Sequence, residues 1–195
     1  MKKNSALVVI DIQKDFFKGG ALPVANAENI IPIINKYIHL FDQHNFPIFY
    51  SRDWHPPHSK HFKKFGGKWE QHCVKGEKGA EFHEALKIVK RGIVISKGIK
   101  ENEDGYSVFE GYDEKGKKFY EVLKEKKITT LYVGGVATDF CVKASVIDGV
   151  KLGFKIKLLT DGIKGVKEES SKLAITQMCK LGVECLTIDK VYEKK

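Results

Sequence analysis

Residues 131–150 read LYVGGVATDFCVKASVIDGV, and the other segments fall into place around them. Leu131, Tyr132 and Val133 form a short β-favouring run that meets Gly134 and Gly135, after which Val142, Val146 and Val150 recur at helical spacing. The pattern predicts strand, tight turn, helix. It places Cys141 in the first helical turn, where unpaired N–H groups and the positive end of the helix dipole favour an anion. The thiol is therefore expected to lean toward thiolate, the form that attacks carbonyl carbon. A small cysteine packing a helix onto a sheet would look the same locally, so the rest of the chain decides between the two.

Five other segments share the strand pattern, a short apolar or β-branched run ending in a polar residue: 7–11 (LVVID), 48–53 (IFYSRD), 93–97 (IVISK), 156–161 (IKLLTD) and 186–189 (LTID). Near-continuous apolar runs of this length suit parallel strands buried on both faces. Helical periodicity lies between most of them. Residues 27–44 carry Ile30, Ile31, Ile34, Ile38 and Phe41 on one stripe, with Pro32 near the start; 117–127 carry Phe119, Val122 and Leu123; 166–181 carry Leu173, Ile175, Met178 and Leu181, followed by Gly182. The alternation predicts a single three-layer α/β domain over 1–195, a six-stranded, mostly parallel sheet with helices on both faces.

The bulk numbers agree with one soluble globular unit: 195 residues, 42% hydrophobic and 30% charged. No apolar run has the length of a bilayer span, and the run at 6–10 ends in Asp11 and so is a strand, not a signal peptide. A cytoplasmic protein with free thiols at Cys73, Cys141, Cys179 and Cys185 is expected, since none are in CxxC spacing. The net charge of +9 is spread over predicted helix faces and loops without a nucleic-acid motif. Neither nucleic acid nor membrane is expected as a partner; a small-molecule substrate is, and a homo-oligomer is compatible with the sequence.

In open parallel sheets ligands bind beyond the carboxyl ends of the strands. The residues ending or following four of the predicted strands are Asp11, Asp53, Lys97 and Cys141. Cys141 as nucleophile, Asp11 as proton shuttle and Lys97 as the cation that tunes both would suffice to hydrolyse an amide or ester through a thiol, with no histidine in the set. Each residue alone has a plainer reading, Asp11 as a turn cap and Lys97 as a solvent-facing strand end. A second constellation lies in the segment 54–80, which has little apolar periodicity but holds two prolines, four glycines, both tryptophans and four of the seven histidines. A loop this long in a compact domain is usually functional. Asp53 and His55, with His72 and His61 further down the loop, offer one carboxylate and two or three imidazoles, a set suited to one divalent zinc, iron or manganese ion with open positions. His39, His44, His58 and His83 are left out of it.

With these motifs in hand, the chain resembles the nicotinamidase branch of the isochorismatase-like cysteine hydrolases from about residue 6 to 188. The resemblance is carried by VVIDIQKDFFKGGALPV, YSRDWHPPHSKHF, KWEQHCVKGEKGAEFH, ISKG followed by YSVFEG, and GGVATDFCVKASVIDG. It implies a catalytic triad of Asp11, Lys97 and Cys141, metal ligands at Asp53, His55 and His72 with His61 as a fourth, and a metal that holds the pyridine nitrogen of nicotinamide. It also implies a cis peptide between Val136 and Ala137, an oxyanion hole formed by the N–H groups of Ala137 and Cys141, and a ring pocket walled by Phe16, Trp69 and Tyr106 beside Val136 and Ala137. The chain departs from the pattern at Glu70-Gln71 before the metal histidine, at the basic Lys75 and Lys78, and at Phe140 beside the cysteine. The implied activity is hydrolysis of nicotinamide to nicotinate and ammonia in NAD salvage. A hydrolase of another small amide and a non-catalytic protein on the same fold are the rival readings.

Overall fold

The computed structural model describes residues 3–193; the ends of the expected 1–195 domain lie outside the described residues. Six strands form one sheet: β1 (Ser5–Ile10), β2 (Ile48–Asp53), β3 (Ile93–Lys97), β4 (Thr130–Val136), β5 (Lys155–Lys164) and β6 (Glu184–Leu186). Their order is β3-β2-β1-β4-β5-β6 and every pairing is parallel. Strand side chains alternate between faces, and β1 shows the result. Leu7 and Val9 enter one core with the apolar stripe of α1 (Ile31–Gln43) and with Ile188 and Val191 of α5 (Ile188–Glu193). Ala6, Val8 and Ile10 enter a second core with α2 (Phe119–Glu125), α3 (Lys143–Lys151) and α4 (Glu168–Lys180). Three layers result, as expected.

The order reverses direction between β1 and β4. Such a switch point opens a crevice at the carboxyl ends of the two strands, and Asp11 and the turn to Cys141 flank it. Gly135, at φ +127, allows the closest approach here, since a Cβ would collide with the carbonyl oxygen of Ile10. The Val136–Ala137 peptide is cis, as the resemblance implies.

Several boundaries differ from expectation. The helix expected over 27–44 is a 3-10 turn at Ala27–Ile30 followed by α1, which places Pro32 in the first turn, where its missing N–H costs nothing. Strand β6 stops at Leu186 and Ile188 already begins α5, so 186–189 is not one strand. The stripe read on α4 is also displaced. Leu173 and Leu181 are 59% and 47% exposed, and it is Ala174 and Met178, four residues apart, that face the sheet. Among the described residues no helix is long and apolar enough to cross a membrane.

Candidate active site

The last register pair of β2 and β3 is Asp53 with Lys97, so the two side chains leave the sheet together on one face. Lys97 is fully buried and its ammonium lies 2.8 Å from Asp11 Oδ2, donates to Asp53 Oδ1, donates to the Gly105 carbonyl at 2.7 Å and reaches Cys141 Sγ at 3.6 Å. One cation thus ties Asp11, Cys141 and Asp53, the last residue of β2. Burial works against its charge, but Asp11, Asp53 and Cys141 outweigh that and hold it protonated well above the ordinary lysine range.

Asp11 follows β1 at φ +50, and Ser51 Oγ donates to its Oδ1 at 2.6 Å. Burial raises its carboxyl and Lys97 pulls the other way, leaving it at about 6, where it can take and return a proton near neutrality. Cys141 lies in a π-turn (Thr138–Val142) that opens into α3. The Ala137 carbonyl accepts from the N–H groups of Phe140 and Val142, the residues on either side of it. The expected lean toward thiolate is not what this site sets. Burial pushes the thiol well above its ordinary value, and the nearby Asp11 and Asp53 carboxylates offset the help from Lys97.

The second constellation also converges. One nitrogen from each of His55, His61 and His72 lies within 4.8 Å of the others, and Asp53 Oδ2 is 3.8 Å from His55 Nε2 and 4.0 Å from His72 Nε2. Each imidazole is oriented through Nδ1: His55 to the Gly98 carbonyl (3.1 Å), His72 to the Glu70 carbonyl (2.7 Å), His61 to Asp104 Oδ1 (2.9 Å). A proton on Nδ1 leaves Nε2 as a lone-pair donor, the usual outer-shell arrangement around a metal. His55 Nε2 is buried with no hydrogen-bond partner, and burial lowers His55 to about 4, so its ring is neutral. The donor set therefore fits a divalent metal, with His61 in the same group as His55 and His72. His58 packs against Phe65 and His83 against Phe17, away from the cluster.

Phe16, Trp69, Tyr106, Phe140, Cys141 and Ala137 line a pocket between the two constellations, closed further by Leu22, Val24 and Val166. Trp69 Nε1 donates to Tyr106 Oη at 2.8 Å, and Phe140 meets Trp69 edge-on at 4.9 Å while stacking on Tyr106. Val136 does not join them. As the last residue of β4 its side chain is fully buried in the core, and of the two only Ala137 lines the pocket.

Three side chains that support the site lie inside the quoted motifs but are given no role by them. Buried Gln13 donates to the carbonyls of Asp53 (2.8 Å) and Ala80 (2.9 Å) and accepts the Asp53 N–H (2.8 Å), latching the root of the 54–80 loop to the strand rim. Asp15 accepts the N–H of Cys73 (2.7 Å) and of Ala21 (3.1 Å), fixing the pocket segment against the metal loop. Asp139 accepts from the N–H groups of Val166 and Lys167 and from Ser170, holding the start of α4 against the nucleophile's turn. Their one legible signal is position, two or four residues from a predicted strand-end acid or the nucleophile.

The isochorismatase domain model matches residues 5–190. The chain is 37% identical to a nicotinamidase of Acinetobacter baylyi over 86% of this chain and 85% of that protein. Among solved structures it superposes on a pyrazinamidase of Pyrococcus horikoshii in complex with zinc with a TM-score of 0.89 at 37% identity, covering 95% and 99% of the two chains. A protein from L. infantum in complex with nicotinate gives 0.84 at 32% identity, covering 94% and 92%. The chain belongs to the isochorismatase domain family.

Proposed function

We propose that the protein is a nicotinamidase, hydrolysing nicotinamide to nicotinate and ammonia in NAD salvage in the cytoplasm. The observation that carries this is the placement of one aromatic-walled pocket between a thiol–carboxylate–ammonium set and a three-histidine, one-aspartate set that share the Lys97–Asp53 contact. Phe16, Trp69, Tyr106 and Phe140 would wall a planar pyridine ring whose carboxamide is directed toward Cys141. Asp53, His55, His61 and His72 would hold the metal, read as zinc from the imidazole-rich donor set. When bound, it supplies a Lewis-acidic anchor for the pyridine nitrogen and an acidified water.

The chain's own residues carry the covalent steps. Cys141 is protonated at rest, so its proton passes to Asp11 as the sulfur adds to the carboxamide carbon. The Ala137 and Cys141 N–H groups receive the developing oxyanion. The C–N bond breaks as Asp11 returns the proton to the departing ammonia, leaving a thioester. Asp11 then takes a proton from water as its oxygen adds, and the C–S bond breaks as Asp11 returns that proton to the sulfur, restoring the Cys141 thiol and giving nicotinic acid, which ionises to nicotinate. Lys97 keeps its charge throughout, holding Asp11 and the sulfur in register.

The test is ammonia release from nicotinamide set beside an aliphatic and a ureido amide, before and after chelation, in wild type and Cys141→Ala. Nicotinamide is expected to be preferred, and chelation or the substitution to abolish turnover. Equal rates on all three amides, or turnover by Cys141→Ala, would overturn the reading.

A further inference from the structure

Cys141 lines the pocket and Cys73 is buried within the 54–80 loop; the other two cysteines lie together elsewhere. Cys179 is exposed in the last turn of α4 and Cys185 is half-buried in β6. Their sulfurs are 2.8 Å apart and both are free thiols. That is closer than the about 3.5–4.0 Å at which non-bonded heavy atoms settle, and within about 1 Å of the ~2.05 Å disulfide bond. Both ends are set by the fold. Gly182, at φ +82, turns the chain between them, and Cys185 is paired with Leu158 of β5.

We infer that Cys179 and Cys185 are a redox modification site, closing reversibly into a disulfide with a low-molecular-weight disulfide as oxidant. The exposed Cys179 loses its proton to solvent and attacks one sulfur of the reagent, which departs as a thiolate and is protonated. Cys185 sulfur then attacks Cys179 sulfur and displaces the second half of the reagent, which leaves with the Cys185 proton. Two protein thiols are oxidised and one small disulfide is reduced to two thiols. Burial and the contact with Cys179 push Cys185 up to about 12, which makes the exposed partner the first to react.

The bond would staple the end of α4 to an edge strand held by only three paired residues, across the turn at Leu181-Gly182. The site is remote from catalysis. Asp139 holds the other end of α4 beside Cys141, and a helix of 13 residues spans about 20 Å. Oxidation there is expected to slow local opening and leave turnover alone.

Trypsin reads the bond directly, because cleavage after Lys172, Lys180 and Lys190 puts Cys179 in 173–180 and Cys185 in 181–190. The full-length protein is incubated with oxidised glutathione, quenched in acid, alkylated, digested and weighed. The two peptides are expected to appear joined, to separate on adding dithiothreitol, and never to join in Cys179→Ser or Cys185→Ser. The oxidised native protein is expected to resist nicking after Lys180, and its turnover to match that of similarly treated Cys179→Ser. Glutathione retained on Cys179 with Cys185 still alkylated, or both cysteines alkylated as in the reduced protein, would overturn the proposal.

Discussion

Replacing Lys97 with Met removes one buried charge at nearly constant volume and leaves Asp11 and Asp53 facing each other. At an effective dielectric of about 20, unit charges 2.8 Å apart attract by about 6 kcal/mol. The two carboxylates, with oxygens within 4.8 Å, would repel by about 3.5 kcal/mol or more. The variant escapes part of this by binding a proton. At pH 7 that costs about 4 kcal/mol for a carboxyl whose unfolded pKa is about 3.9. The expected loss of stability at pH 7 is about 3–5 kcal/mol, the usual range for breaking a buried ion pair. The pH dependence is the sharper signature. Wild-type Asp11 sits at about 6 and is ionised above it, whereas the folded variant keeps a proton there that the unfolded chain has lost. Stability of the variant relative to wild type should therefore improve as pH falls, by about 1.4 kcal/mol per unit and so about 2–3 kcal/mol from pH 8 to pH 6. Urea unfolding in chelator at pH 6, 7 and 8, followed by the fluorescence of Trp54 and Trp69, measures this. A deficit that does not change with pH, or one below about 1 kcal/mol at pH 7, would show that Lys97 is not the compensating charge of this cluster.

Two further outcomes follow from the same geometry. Gly98→Ala places a methyl group against the His55 ring at a residue with φ +62, so metal affinity should fall by about 10–100-fold in competition with a chromogenic chelator; unchanged affinity would remove His55 from the ligand set. Because Asp11 must be ionised to accept the Cys141 proton, kcat/KM for nicotinamide should fall on the acid side with a midpoint of about 6, and a profile flat to pH 5 would take Asp11 out of that role.

Much of the site was legible because strand ends are legible. Asp11, Asp53 and Lys97 each terminate an apolar run, and a parallel sheet carries such ends to one rim, so three distant residues could be placed together without coordinates. The histidines stood out for the opposite reason: the 54–80 loop lacks the periodicity that would explain them as packing. Periodicity failed where geometry outranked it. Leu173 and Leu181 belong to a two-faced helix whose small Ala174 makes the contact, which composition hides. Val136 was paired with Ala137 as a pocket residue, although its side chain, the last of β4, is fully buried in the core and only Ala137 reaches the pocket lining. The thiolate expectation rested on the helix terminus alone and took no account of complete burial between two carboxylates. Gln13 looked like any polar residue after a strand, because three bonds to backbone leave no trace in residue type.

The Gln13 latch sets what this protein can change about itself. Because a single amide clamps the base of the long excursion at Asp53 and Ala80, the exposed side chains of Lys63 and Lys64, farther out, can be rewritten without displacing the carboxylate that both constellations share, whereas Gly67 cannot, because a Cβ there would collide with the His61 carbonyl. Selection for a new amide can then work on the outer rim while ion binding stays as it was, and insertions should be tolerated there far better than beside residue 13.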